Sequence, residues 1–209
     1  MLELEAYFDE IDLARVRRVK ELSEVKRMFV TSAESDPLGV QSKAVVVLSY
    51  ASWEGFYNDC VITYRQFLSD QGTKVVDAGW LMLVGALSSD FESLRARNHS
   101  REAKRAFIEN LKERLECGFD RFDIATIQAR SNLDFNKLSS NYALLGFDLG
   151  LLQRYRVRMD KEVVGWRNGV AHGNAPNLDK FDVANHVKFV AELLVLVAGH
   201  FQEAMLEKF

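Results

Sequence analysis

The sequence predicts an all-α protein, and three observations carry that prediction. Only 2 of the 209 residues are proline, so little in the chain interrupts a helix. Val46, Tyr50, Trp53, Tyr57, Cys60, Tyr64 and Phe67 step by alternating fours and threes, which draws one apolar line along a helix. A second line, Val183, Val187, Val190, Leu194, Val197 and Phe201, runs through the C-terminal segment. A single-domain helical bundle over residues 1–209, with two long central helices and several shorter ones, satisfies all three.

Taken in order, residues 2–30 mix charged and aliphatic positions at helical spacing, so an outer helix is expected within the first 35 residues. Asp36-Pro37 then reads as a helix start, an N-cap acid followed by proline at the first helical position. The helix carrying the first apolar line follows, widened by Val45, Leu48 and Phe56, and Gln71-Gly72 ends it. Shorter helical patterns lie at 74–87, 101–116 and 135–145, with Gly118 and Gly146 as stops. A helix from about Leu151 leads to a strong stop at Gly173, Asn174 and Pro176, and the last helix spans Phe181 to Glu207.

Hydrophobic residues make up 48% of the chain and charged ones 27%, enough for a sizeable core. The net charge is -3, so binding to a polyanion would need a local basic surface. Neither a leader nor an apolar run able to span a bilayer is expected, so a cytoplasmic protein without membrane contact is the expectation. The two cysteines, Cys60 and Cys117, fit no metal or redox spacing and are expected reduced, Cys60 inside a helix core.

The most informative stretch for chemistry is Arg167-Asn168-Gly169-Val170-Ala171-His172-Gly173. Arginine is a permanent planar cation able to grip phosphate oxygens with two donors. Histidine takes and gives a proton near neutral pH. Together they supply what RNA cleavage without a metal requires: a proton carrier at the attacking or leaving oxygen and a fixed charge at the phosphate. Positions five apart on a regular helix diverge by about 140°, so His172 is expected at or just past a helix end, where partial negative charge favours imidazolium. Spacing alone leaves a second reading open, in which both residues cap helix carbonyls.

The motif resembles the Arg-x4-6-His signature of HEPN domains, in which Asn directly after the Arg is common, as Asn168 is here. The resemblance extends to Trp53-Glu54-Gly55-Phe56, Ser131-Asn132-Leu133, Leu145-Gly146-Phe147-Asp148 and the final helix, over about Ser42 to Phe209, and is nearest to the MAE-type or RiboL-PSP-type proteins. It implies an all-α bundle, usually a homodimer with the two motifs meeting at the interface. It also implies metal-independent endoribonuclease activity without a cofactor, often as a toxin or antiviral effector with a cognate antitoxin or defence-system partner. Carried over by motif, Arg167 and His172 are the catalytic pair and Asn168 the supporting polar group. The alternative is a HEPN module that binds nucleotide, RNA or protein without catalysis.

Glu54 is a further candidate by position, either orienting Arg167 or His172 or serving as an ordinary salt-bridge partner or partly exposed helix-edge acid. Arg154, Arg156, Arg158 and Lys161 precede the motif and are candidate RNA contacts, and a second basic group, Arg95, Arg97, Arg101, Lys104 and Arg105, surrounds His99. Tyr155 and Trp166 are read either as base-stacking or as packing residues. His186 and His200 are fourteen residues apart on the last helix, about 21 Å, too far to share a metal. The sequence has no HExxH, phosphate-binding glycine loop or GxSxG elbow, which removes support for a zinc protease, nucleotide triphosphatase, kinase or serine hydrolase.

Overall fold

The computed structural model describes residues 2–36, 39–173 and 182–209, and no strand occurs among them. Three long helices form the frame: α1 (Leu2–Ser35), α2 (Val40–Asp70) and α10 (Val183–Lys208). The seven residues of the first apolar line are all buried on α2, and the six of the second are all buried on α10. Their aromatic members meet at one end of the core. Phe201 lies edge-on to Tyr57, Tyr64 and Phe147 at 6.2, 5.7 and 5.0 Å between ring centres. Each such side chain contributes about 1.5–3 kcal/mol by leaving water.

The first helix fills the span expected of it but is less peripheral than the sequence suggests, since it packs along both α2 and α10. Ile11, Leu22 and Ala33 are buried and eleven residues apart, close to three full turns, so a single narrow line on α1 meets the core. Tyr7 packs on Phe67, Arg17 and Arg18 donate to Asp59 at 2.9 and 3.3 Å, and Ser42 donates to the Ala33 carbonyl at 2.8 Å. Those pairings run in opposite directions along the two helices, which makes α1 and α2 an antiparallel hairpin. Its narrow apolar line among many charges is why α1 reads as an outer helix.

Several boundaries differ from expectation. Pro37 lies outside the described residues, as do Asn174, Pro176 and Phe181; the N-cap of α2 is Gly39, and Asp36 instead offers its carbonyl to Gly39 and to Ser42 Oγ. Leu48 is 43% exposed rather than part of the buried line. Residues 74–87 form two short helices, α3 (Val75–Ala78) and α4 (Leu83–Ala86), with a 3₁₀ turn between them. Then come α5 (Ser88–Ala96), which the sequence reading missed, and α6 (Arg101–Leu115). Gly118 does not stop a helix; it is extended and bridges to Lys74. Gly146 does close α7 (Phe135–Leu145), with φ of 75°.

By length and composition α10 is apolar enough to cross a bilayer, with mean hydropathy 1.5, contrary to the expectation of no such run. Its apolar side packs on α1 and α2, which is the use the fold makes of it.

Candidate functional site

The approach to the motif is helical throughout but changes its winding. A 3₁₀ stretch (Gly150–Tyr155) passes into α8 (Arg156–Arg158), then a π-helical segment (Met159–Gly165), then α9 (Trp166–Ala171). A π segment adds a residue per turn and is frequent at functional sites. Here it depends on Gly165, because a side chain at that position would sit 2.9 Å from the Asp160 carbonyl oxygen. The same segment turns Asp160 toward α7, where its carboxylate accepts from the Phe135 amide at 2.8 Å. His172 is the C-cap of α9: its amide donates to the Asn168 carbonyl at 3.0 Å, and Gly173 follows with φ of 73°. The helix end expected at the motif is therefore present, and the His172 side chain is exposed beyond it.

Arg167 is fixed on three sides. Its guanidinium carbon stands 4.4 Å from the centre of the Tyr50 ring, one Nη donates to Asn168 Oδ1 at 2.8 Å, and the other donates to the Ser131 carbonyl at 3.2 Å. A cation over an aromatic face is attracted by the ring quadrupole. Asn168 continues the network by donating to Asn132 Oδ1 at 3.3 Å, and Asn132 donates to Asp134 Oδ2 at 3.2 Å. Asp134 in turn caps α7 through the Lys137 amide at 2.8 Å. A guanidinium has five N–H donors, so the geometry leaves Arg167 able to meet an anion as well.

The floor of this network is a non-helical segment, residues 127–134, tied to α2 by side chains of the apolar line and its edge. Trp53 donates to the Leu133 carbonyl at 3.1 Å, and Tyr57 to the Ile127 carbonyl at 2.8 Å. Asn58 clamps Ala129 in both directions, at 3.1 and 2.9 Å. Tyr50 accepts from the Leu133 amide at 2.9 Å. Each bond satisfies a backbone group that would otherwise be costly to bury. Burial, opposed by the Leu133 amide and aided by the Glu54 charge, pushes the Tyr50 phenol up to about 12. Tyr50 thus stays neutral near pH 7 and serves as platform and acceptor.

Tyr50, Ser131, Asn132 and Asp134 were not read from the sequence as site residues. Tyr50 was visible as part of the apolar line, and Ser131-Asn132 as part of the resemblance, but nothing local ties either to Arg167.

Glu54 is half-buried on α2, as the reading of a helix-edge acid expects. Among the described residues it forms no ion pair with Arg167 or His172, and its Oε1 is buried without a hydrogen-bond partner. It lies one turn from Tyr50 and acts there through its charge. The basic run also divides. Arg158 pairs with Glu162 at 2.8 Å and lies 4.0 Å over the Phe189 ring, so it is a packing residue. Arg154, Arg156 and Lys161 remain exposed, with Arg154 over Tyr155 and Arg156 over Phe135. Tyr155 and Trp166 pack on Phe189 and His186 respectively, which favours the packing reading for both.

Residues 14–203 match the sequence model of the RiboL-PSP-HEPN family. The chain belongs to that family. No curated protein and no solved structure matches it. Membership of a HEPN family fits an RNase-type or nucleotide-binding module on the all-α frame described above. Among the described residues no group of three or more His, Cys, Asp or Glu side chains could hold a metal. Cys60 and Cys117 are free and buried, and burial pushes both thiols up, so neither is activated. A cavity of about 530 Å³ beside His200 is lined by Asp148, Glu203 and Glu207 and by neither motif residue, and its acids would repel a phosphate chain.

Proposed function

We propose that this RiboL-PSP-HEPN protein is a metal-independent endoribonuclease. The observation that supports it best is the fixation of Arg167 by Tyr50, Asn168 and Ser131, on the short helix that an exposed His172 caps. A guanidinium held in advance needs no reorganisation when charge develops on the phosphate. In this reading the ribose 2'-oxygen attacks the adjacent phosphorus and its proton passes to a histidine. The bond to the 5'-oxygen breaks, and that oxygen receives a proton as it leaves. The products are a 2',3'-cyclic phosphate and a 5'-hydroxyl end.

One motif supplies one histidine, whereas the reaction has a proton to accept and one to donate. We therefore infer a homodimer in which two motifs share a cleft. Val40, Val47 and Leu48, exposed on the first turns of α2 before Tyr50, fit such an interface. Arg154, Arg156 and Lys161 would guide the RNA backbone toward it. A toxin or antiviral effector in the cytoplasm, checked by a cognate inhibitory protein, is the setting in keeping with the family.

Labelled RNA incubated in excess EDTA tests the chemistry, beside the same RNA carrying one 2'-deoxy residue at the cleavage position. Cutting of the first and not the second, with a 2',3'-cyclic phosphate product, is expected. Loss of activity on chelation, or cutting at the deoxy position, would leave a binding module or another reaction.

A further inference from the structure

The hairpin of α5 and α6 presents a surface that the Arg/His site does not use. Phe91 and Phe107 stack across it at 5.7 Å, and buried Asp90 accepts from Arg114 at 2.8 Å, so the two helices are firmly paired. Between the hairpin and the segment 80–84, Trp80, Leu81, Val84, Phe91, Leu111 and Leu115 line an apolar groove of about 210 Å³. Trp80 is 68% exposed, Leu81 52% and Phe91 41%, and Ile108, one turn before Leu111 on α6, is 63% exposed. Several large apolar side chains left together in water mark a place where another molecule binds.

The charge at one end of the groove says what kind. One turn beyond Phe91 and Ile108, by helical spacing, stand Arg95 and Lys104; Arg97 closes α5 and Arg101 opens α6. All four are exposed, and among the described residues none of their side chains has an ion pair or hydrogen bond. The turn is closed tightly: Asn98 and His99 both adopt left-handed backbone, with φ of 48° and 53°, and their amides donate to Arg95 and Leu94 carbonyls at 3.1 and 2.9 Å. Asn and His are among the non-glycine residues that enter that region most often, so the sequence itself suits this tight turn between the two helices. In a chain of net charge -3 the corner is a local reversal of sign.

We propose that this hairpin docks an acidic amphipathic helix of a partner protein. The apolar stripe of that helix fills the groove, and its carboxylates meet Arg95, Arg97, Arg101 and Lys104. Trp80 and Phe91 give a base two rings to stack on, but the rest of the lining, Leu81, Val84, Leu111 and Leu115, offers it no donor or acceptor, so single-stranded RNA is the competitor in the test. A second copy of this chain also carries exposed apolar positions beside acids, Leu13 and Val16 near Asp9 and Glu10 on α1 and Leu206 near Glu203 and Glu207 on α10, but such a pairing joins two different surfaces and shows as self-association in the test.

The test uses the full chain and a fluorescent 16-residue designed helix with leucines at i, i+3, i+4 and i+7 and glutamates flanking them. Controls are the same composition scrambled and a version with lysine for glutamate. Anisotropy and Trp80 emission should show the glutamate helix bound at least about tenfold more tightly than either control, an effect of about 1.4 kcal/mol. Leu81→Asp should weaken it about tenfold, and Arg97→Glu with Arg101→Glu should reverse the preference toward the lysine helix. Circular dichroism and melting confirm that these exposed substitutions fold. Equal binding of the scrambled peptide, or indifference to both variants, would overturn the proposal. So would displacement of the peptide by single-stranded RNA that itself binds the groove, or a growing mass by light scattering that Leu81→Asp abolishes.

Discussion

Replacing Tyr50 separates two things that the site asks of one side chain. Tyr50→Phe keeps the ring beneath Arg167 but deletes the oxygen that accepts from the buried Leu133 amide at 2.9 Å. A buried donor left without a partner costs about 1–3 kcal/mol, so the unfolding free energy should fall by that amount. Tyr50→Leu deletes the ring as well, and with it a cation–π attraction worth about 0.5–2 kcal/mol. Part of that attraction positions the guanidinium, and about 1.4 kcal/mol of lost positioning is a tenfold loss of rate. RNA cleavage measured at temperatures where both variants are fully folded should therefore stay within about threefold for Tyr50→Phe and drop about tenfold for Tyr50→Leu. Urea unfolding gives the stability of each. A folded Tyr50→Leu protein that cleaves at the wild-type rate would refute the idea that the ring sets Arg167, and so would a Tyr50→Phe protein impaired as much as Tyr50→Leu.

Further outcomes follow from the same geometry. Arg167→Ala and His172→Ala should each lower cleavage at least about a hundredfold while melting shows the fold intact, and Arg167→Lys should stay impaired because an ammonium cannot reach Asn168 and Ser131 together. His186, held down to about 4 by burial and then by the Arg158 charge, stays neutral in the folded protein while the unfolded chain protonates below its ordinary 6.5. The unfolded state thus binds more protons between those values, and stability should fall as pH drops through that window by about 3 kcal/mol in all; a His186→Leu protein should show a flatter melting profile over the same range. Light scattering across a dilution series should show cleavage per chain falling as dimer dissociates, and constant activity in a demonstrated monomer would remove the shared cleft.

What the sequence determines by itself is what repeats along one helix. The buried lines of α2 and α10 are periodic, so every member from Val46 to Phe67 and from Val183 to Phe201 was legible before any packing was known. The same holds for the stop after His172, because a left-handed glycine is a local requirement that Gly173 meets. Leu48 shows the limit, since its spacing suits the core but only the position of neighbouring helices decides which edge of the line is covered. The reach of α1 into the core, the hairpin of α5 and α6, and the π winding before α9 likewise depend on partners distant in sequence. The site itself divides in the same way. Arg167, Asn168 and His172 stand together in the chain, but Tyr50 lies more than a hundred positions earlier and Ser131 and Asn132 thirty-six positions before their partners. Opposite charge makes Glu54 one companion the sequence offers Arg167, beside the reading of an ordinary helix-edge acid. The tertiary structure instead sets an aromatic face and a backbone carbonyl there, because α2 ties residues 127–134 beneath α9 and so fixes which groups the guanidinium can reach.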